Sequence, residues 1–279
     1  MICITIDGLS YKTAYELYSD LFPIQTMKMI RSNVRTYTDT PEGGQPTFVG
    51  LTCMWSGEKI KDFHPNLFAR HNDNRPFEWI TKDNKPMDLV WNHFQKGKFQ
   101  ARYQGPNPYC NNEEFFKYNV ELQGVKRCPT DELCIFSEIH KKDYDLFWHH
   151  SSIIKHGIFL PGPYEQGRVP SLIPYDETRK NKEFKRKVYL YGINTYKQVI
   201  KYIQEMTNEI IVISADHGTI TEPPYDTNQV DEIPIIVNRD VDLSSYNYQW
   251  DFKNLVLNLQ QIELKSPPHN FGGVLECLN

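Results

Sequence analysis

The chain has 279 residues, 39% hydrophobic and 24% charged, which is enough apolar side chain for a large core and too much for a disordered chain. Its formal net charge of −4 argues against a general nucleic-acid coat or an anionic-membrane binder, and no run of about 18 apolar residues exists to span a bilayer. The first residues show no basic segment or small-residue cleavage site, and the six cysteines are scattered without a Cys-x-x-Cys, so the chain reads as cytoplasmic with reduced thiols.

Taken in order, Ile2 to Ile6 is an apolar run ending at Asp7-Gly8. It reads as a buried strand that delivers a carboxylate at its carboxyl end, although Asp-Gly is also common at helix caps and turns. A helix is expected from Tyr11 to Leu21, with Tyr15, Leu17 and Leu21 available for one face, then a second strand near Asn33 to Tyr37. A turn-rich loop, Thr38 to Thr47, opens onto Phe48 to Gly57, whose apolar character reads as a buried helix ending near the glycine. Thr47 stands at the N-terminus of that helix. It is either a capping threonine or a nucleophile, its hydroxyl held against a phosphate by free N–H groups and the positive dipole end. Late in the chain, Ile210 to Ser214 reads as a strand buried on both faces, as in the middle of a parallel sheet. Asp216-His217-Gly218 follows it, where open α/β sheets place their ligands. A carboxylate beside an imidazole suits zinc or manganese better than calcium.

Asp7 closing the first strand, Thr47 in Pro46-Thr47-Phe48, the Ser56-Gly57 pair and Asp216-His217-Gly218 together resemble the alkaline phosphatase superfamily. Within it, they resemble the nucleotide pyrophosphatase/phosphodiesterase (type I phosphodiesterase) branch, with Val49 for its usual proline and Ser56 for its threonine. The resemblance covers most of the chain. Leu89 to Lys98 is similar to the family's helix before a strand, here Phe99 to Tyr103, that ends in Gly105-Pro106. Val188 to Met206 carries Ile193, Tyr196, Val199, Ile200 and Ile203 at helical spacing, like the helix before the Asp-His-Gly strand. Asp231 to Val237 looks like the strand after it. The resemblance implies one α/β domain over residues 1–279, a three-layer αβα sandwich with a mostly parallel central sheet, alkaline-phosphatase-like. It further implies a divalent metal, zinc or manganese, shared by Asp7, Thr47, Asp216 and His217, which would make the threonine hydroxyl a usable nucleophile near pH 7.

The family's two-metal members add an aspartate and a histidine four residues apart, plus a late histidine. Leu133 to His140 reads as a strand, and Asp145 and His149 after it have the spacing of one helix face. His269, in Pro267 to Gly273, is the late candidate. Single-metal relatives often place a histidine at the end of this strand for substrate contact, which is where His140 falls, so one ion and two ions both stand open. Residues 158–187 lie where relatives carry substrate-selecting segments, including the Pro/Gly loop from Phe159 to Pro174 and the basic run Arg179 to Lys187, itself most often a solvated helix face. His64 and His71 flank a polar loop and read as solvated.

The expected function is metal-dependent hydrolysis of a phosphate ester, a phosphodiester or nucleotide-like small molecule, through a phospho-threonine. The alternatives are transfer of a phosphoryl-linked group to another acceptor and a sulfatase-like hydrolase of the same superfamily. No Cys/Ser-x-Pro-x-Arg surrounds Thr47, which counts against a strict sulfatase. From a different class, the chain could be a catalytically inactive binding module on the same fold.

Overall fold

The run Ile2–Ile6 (β1) is buried at every residue because it has a strand on each edge and a helical layer on each face. The computed structural model describes residues 1–33, 46–64, 79–101, 126–127, 134–151, 182–218 and 231–265. Among these, β1 joins β2 (Met27–Arg31), β3 (Gly97–Ala101), β4 (Lys126–Arg127), β5 (Leu146–Ser151), β6 (Ile211–Ser214) and β7 (Glu232–Val237) in one 7-stranded sheet, ordered β2-β7-β6-β1-β5-β3-β4. The strands from β6 through β4 are parallel, while β7 runs antiparallel to both β6 and β2. The fold is therefore α/β with a mostly parallel sheet.

The helices are α1 (Tyr11–Tyr18), α2 (Pro46–Ser56), α3 (Cys134–Lys141), α4 (Lys182–Met206) and α5 (Phe252–Lys265). Consecutive residues of a strand point to opposite faces, and β5 shows both layers. Its Trp148 meets Trp55 of α2 and Phe252 of α5, with ring centroids 5.9 and 5.6 Å apart. Its His149 stacks on Tyr196 of α4 at 6.0 Å. On that second face the Tyr18 hydroxyl of α1 donates to the Ile193 carbonyl of α4, and Phe136 of α3 packs edge-on against Tyr202. The result is a three-layer αβα sandwich.

α2 is apolar around most of its circumference, and every residue from Val49 to Ser56 is buried, as its sequence suggests. Proline opens it at the position where a missing N–H does no harm, and Gly57, at φ 74°, ends it in the left-handed region. Trp55 sits edge-on to Trp79, Trp91, Phe99 and Trp148, so its loss would cost on the order of 3–5 kcal/mol. Cys3 and Cys53 are free and buried; burial pushes both thiols up, that of Cys53 to about 12.

Several elements differ from the sequence expectation. The second described strand is Met27–Arg31, while the strand expected near Asn33 to Tyr37 lies, beyond Asn33, outside the described residues. As an edge strand it tolerates Lys28 and Arg31, which reach out to the Leu243 carbonyl and Glu232. α1 stops at Tyr18 and buries Thr13, Ala14 and Tyr18, leaving Tyr15 exposed. Leu89 to Lys98 holds only a 3-10 turn, Val90–His93, before β3. Leu133 to His140 is not a strand but largely α3, because Ile135 and Ile139, four residues apart, form one buried stripe. Asp145 to His149 is not a helix but the start of β5, whose six residues are all buried between β1 and β3. The loop 38–45, His71, Gly105-Pro106, residues 158–181 and His269 lie outside the described residues. Among those described, no helix is long and apolar enough to cross a membrane.

Candidate active site

Three parallel neighbours, β6, β1 and β5, end side by side, and the residues just past their ends converge. Asp7 follows β1, its N–H donating to the Ser151 carbonyl at the end of β5 at 2.9 Å. Gly8, at φ 71°, bends the chain so that its own N–H reaches Asp216 Oδ1 at 3.0 Å. The same oxygen accepts the His217 N–H at 3.0 Å. Asp216 Oδ2, by contrast, is fully buried and accepts no hydrogen bond from the described residues.

His217 faces both carboxylates: its Nε2 lies 3.4 Å from Asp7 Oδ1 and 3.4 Å from Asp216 Oδ2. Its Nδ1 lies 2.6 Å from the Gly218 carbonyl, which can only accept, so in the neutral ring Nδ1 carries the proton and Nε2 presents a lone pair. A lone pair and two carboxylates facing one another, buried, repel unless a cation sits among them. The donor set of one imidazole and two carboxylates is one that zinc or manganese takes. The residues therefore fit a divalent ion.

A fourth polar group, which sequence reasoning missed, is His150 near the end of β5. Ligand atoms of Asp7, His150 and Asp216 lie within 4.8 Å of one another, all buried. Hydrogen bonding decides its part. The Trp148 indole N–H, a pure donor, reaches Thr5 Oγ1 at 3.0 Å, and His150 Nδ1 lies 3.0 Å from the same oxygen. In the tautomer in which Thr5 directs its own proton at Nδ1, the His150 proton resides on Nε2; in the other, Nδ1–H donates to Thr5 and Nε2 carries the lone pair. The first tautomer makes His150 a donor beside the carboxylates, and the second makes it a further ligand. Its sequence signal was parity: a buried apolar strand whose end turns polar, like the two that end in aspartates.

Thr47 is half-buried in the first turn of α2. α2 runs from the strand ends back over the sheet, since Gly50 abuts the Asp216 carbonyl while Trp55 covers Trp148. Thr47 stands three residues before Gly50 on the same helix. The structure thus gathers Asp7, Asp216 and His217, and Thr47 lies on the helix whose Gly50 abuts the Asp216 carbonyl.

It does not gather the other candidates. The Asp145 carboxylate accepts the Lys96 N–H at 2.9 Å at the amino end of β5, and four residues of strand separate it from His149 by about 13 Å. His149 points into the opposite layer, onto Tyr196. His140 is exposed in the last turn of α3, near the amino edge of the sheet.

No family model matches the sequence, and no curated protein matches it. Solved structures do match. The phosphoglycerol transferase GacH of Streptococcus pyogenes, in complex with sn-glycerol-1-phosphate, has a TM-score of 0.58 at 10% identity over 92% of this chain and 73% of that one. The C-terminal periplasmic domain of EcEptC from Escherichia coli, in complex with Zn, has a TM-score of 0.51 at 13% identity over 93% and 82%. The PH0037 protein of Pyrococcus horikoshii has a TM-score of 0.51 at 9% identity over 93% and 96%. The first two are members of the alkaline phosphatase superfamily, and the likeness shows the fold of this chain to be alkaline-phosphatase-like.

Proposed function

We propose that the chain is a metal-dependent enzyme of phosphate esters in which Thr47 is the nucleophile, acting on a phosphodiester or nucleotide-like small molecule. The observation that carries this reading is Asp216 Oδ2, a buried carboxylate oxygen without a donor among the described residues, facing Nε2 of His217, while Gly50 of the helix that bears Thr47 abuts the Asp216 carbonyl. Asp7, Asp216 and His217, with Thr47, would hold zinc or manganese, which when bound would supply Lewis acidity to lower the pKa of the threonine hydroxyl and offset phosphate charge. Thr47 Oγ gives up its proton to solvent and attacks phosphorus, a P–O bond forms, and the bond to the leaving alkoxide breaks. The N–H groups of the first turn of α2 hold non-bridging oxygens, and His150 Nε2–H donates toward the phosphoryl group or its leaving oxygen.

Attack of water on the phospho-threonine completes hydrolysis; attack of an alcohol completes transfer. The transfer reading draws support from the likeness to a phosphoglycerol transferase. The free thiols of Cys3 and Cys53 suit a reducing compartment such as the cytoplasm. The test is turnover of paired mono- and diester chromogenic substrates, with and without added glycerol as acceptor, and metal analysis of the same sample. Thr47→Ala should lose several orders of magnitude in rate while keeping its metal. Metal retained by the parent without turnover on any ester would favour an inactive binding module.

A further inference from the structure

The backbone carbonyl of Asp216 is gripped from two sides by groups that this chemistry does not use. Gln249 belongs to a 3-10 turn, Gln249–Asp251, that leads into α5, and it is fully buried. Its amide nitrogen donates to the Asp216 carbonyl at 2.6 Å and reaches the Ala215 carbonyl at 3.4 Å. Its amide oxygen accepts the Ser32 hydroxyl at 3.2 Å and the Asn33 N–H at 2.9 Å. One side chain thereby uses its full hydrogen-bonding capacity to tie the end of β2 to the end of β6. From the other side comes Gly50 of α2. A Cβ there would fall 1.9 Å from the Asp216 carbonyl oxygen and 3.0 Å from the Gln249 amide nitrogen, so only a hydrogen fits.

We propose that Gln249 and Gly50 are positioning residues that together form a seat for the Asp216 carbonyl, fixing the metal ligands and their spacing from Thr47; the proposal rests on the metal-centre reading above. The physical link is the peptide joining Asp216 to His217. Its N–H is held by Asp216 Oδ1, and its carbonyl is held by Gln249. A peptide is planar, so tilting one end tilts the other and swings both side chains together. Gly50 lets α2 approach until its backbone touches that plane, which sets how far Thr47 stands from the Asp216 and His217 side chains.

The test is calorimetric titration with zinc and with manganese of the parent, Gln249→Glu and Gln249→Met. The glutamate keeps the shape but sets an oxygen against the Asp216 carbonyl, and the methionine removes the donor. Both should bind the ion ten- to a hundredfold more weakly, as disturbed outer-sphere partners of ligands do, with an unchanged near-ultraviolet circular dichroism spectrum. Gly50→Ala must move α2 against Asp216. It should lower kcat on the phosphoester about a hundredfold with KM within threefold, since a displacement of about 1 Å costs that much. Metal affinity within threefold of the parent in either folded Gln249 variant overturns the proposal. Should neither variant fold, the parent decides: its Gln249 side-chain amide resonances should shift on adding zinc, and unshifted resonances overturn the seat. A parent that binds neither ion overturns the metal-centre reading itself.

Discussion

Two histidines at the site look alike in composition and have different hydrogen-bond partners. His217 Nδ1 faces a carbonyl and its Nε2 faces the carboxylates, whereas His150 Nδ1 faces a hydroxyl that already accepts from Trp148. His217→Ala should therefore lower the metal content, and His150→Ala should leave the metal and lower turnover roughly a hundredfold or more. Metal analysis beside rate measurement separates the two, and loss of the ion in His150→Ala would make that residue a ligand. Thr5→Val keeps the shape and removes the hydroxyl. It should cost about 1–3 kcal/mol, because the Trp148 indole N–H loses its acceptor in the core, and it should reduce turnover with the ion retained. Thr5→Ser should restore both.

At the scale of elements, α3 is pinned to β3 by an ion pair in the core: Lys98 Nζ lies 2.7 Å from Glu138 Oε2, with both side chains 6% exposed, and Lys141 takes the other oxygen. Burial pushes the Glu138 carboxyl up, but Lys141 and Lys98 together bring it below the ordinary carboxylate range. A carboxyl depressed in this way stabilises the fold above its unfolded value of about 4.3 and loses that contribution as pH falls through the folded value. Glu138→Gln should thus lose stability near neutral pH and show a shallower decline below about pH 4, measured by denaturant melts across pH. Lys98→Met should cost on the order of 3 kcal/mol by stranding part of a buried charge. This helix is also where sequence reasoning went astray. The strands of the centre were legible because β1 and β6 are continuous apolar runs that stop at an aspartate, and α2 was legible from its apolar length between a proline and a glycine. α3 looked like a strand because Ile135-Phe136 and Ile139 are apolar in a short window, and only the four-residue step from Ile135 to Ile139 betrays the helix. β5 was misread because a four-residue spacing between Asp145 and His149 has the same appearance on a helix and in a strand until burial on both faces is known. With that strand lost, the parity that marks His150 was lost too.

For the molecule as a whole, the site is a point of electrostatic stress. Asp7 and Asp216 are buried carboxylates just past neighbouring strands, each 3.4 Å from His217 Nε2. A divalent ion relieves that stress, and at a hundredfold above its dissociation constant it adds about 2.7 kcal/mol by mass action. For a chain of this length that is a rise in Tm of roughly 5–10 °C. Chelation should lower Tm by that amount, and zinc or manganese should restore it. In Asp216→Asn the two N–H bonds to Oδ1 survive while one charge is gone. The chelated variant should be no less stable than the chelated parent, yet added metal should raise its Tm little. Equal metal-induced shifts in the two proteins would remove Asp216 from the ligand set.

The placement of β1 between β5 and β6 also dictates timing. Thr5 meets a partner 145 residues away, and Gly8 meets one 208 residues away. During synthesis the earliest strand must wait, apolar and unpaired, until both flanking strands have left the ribosome. Closure of so many distant contacts is slow, and a waiting strand of this kind is exposed to aggregation and to chaperone capture. In a series of stalled nascent chains, protease resistance of β1 should appear abruptly, only after Ser214 has emerged, and not in steps as each strand arrives. Stepwise protection beginning with β5 alone would show that half the sheet can hold its centre strand unaided.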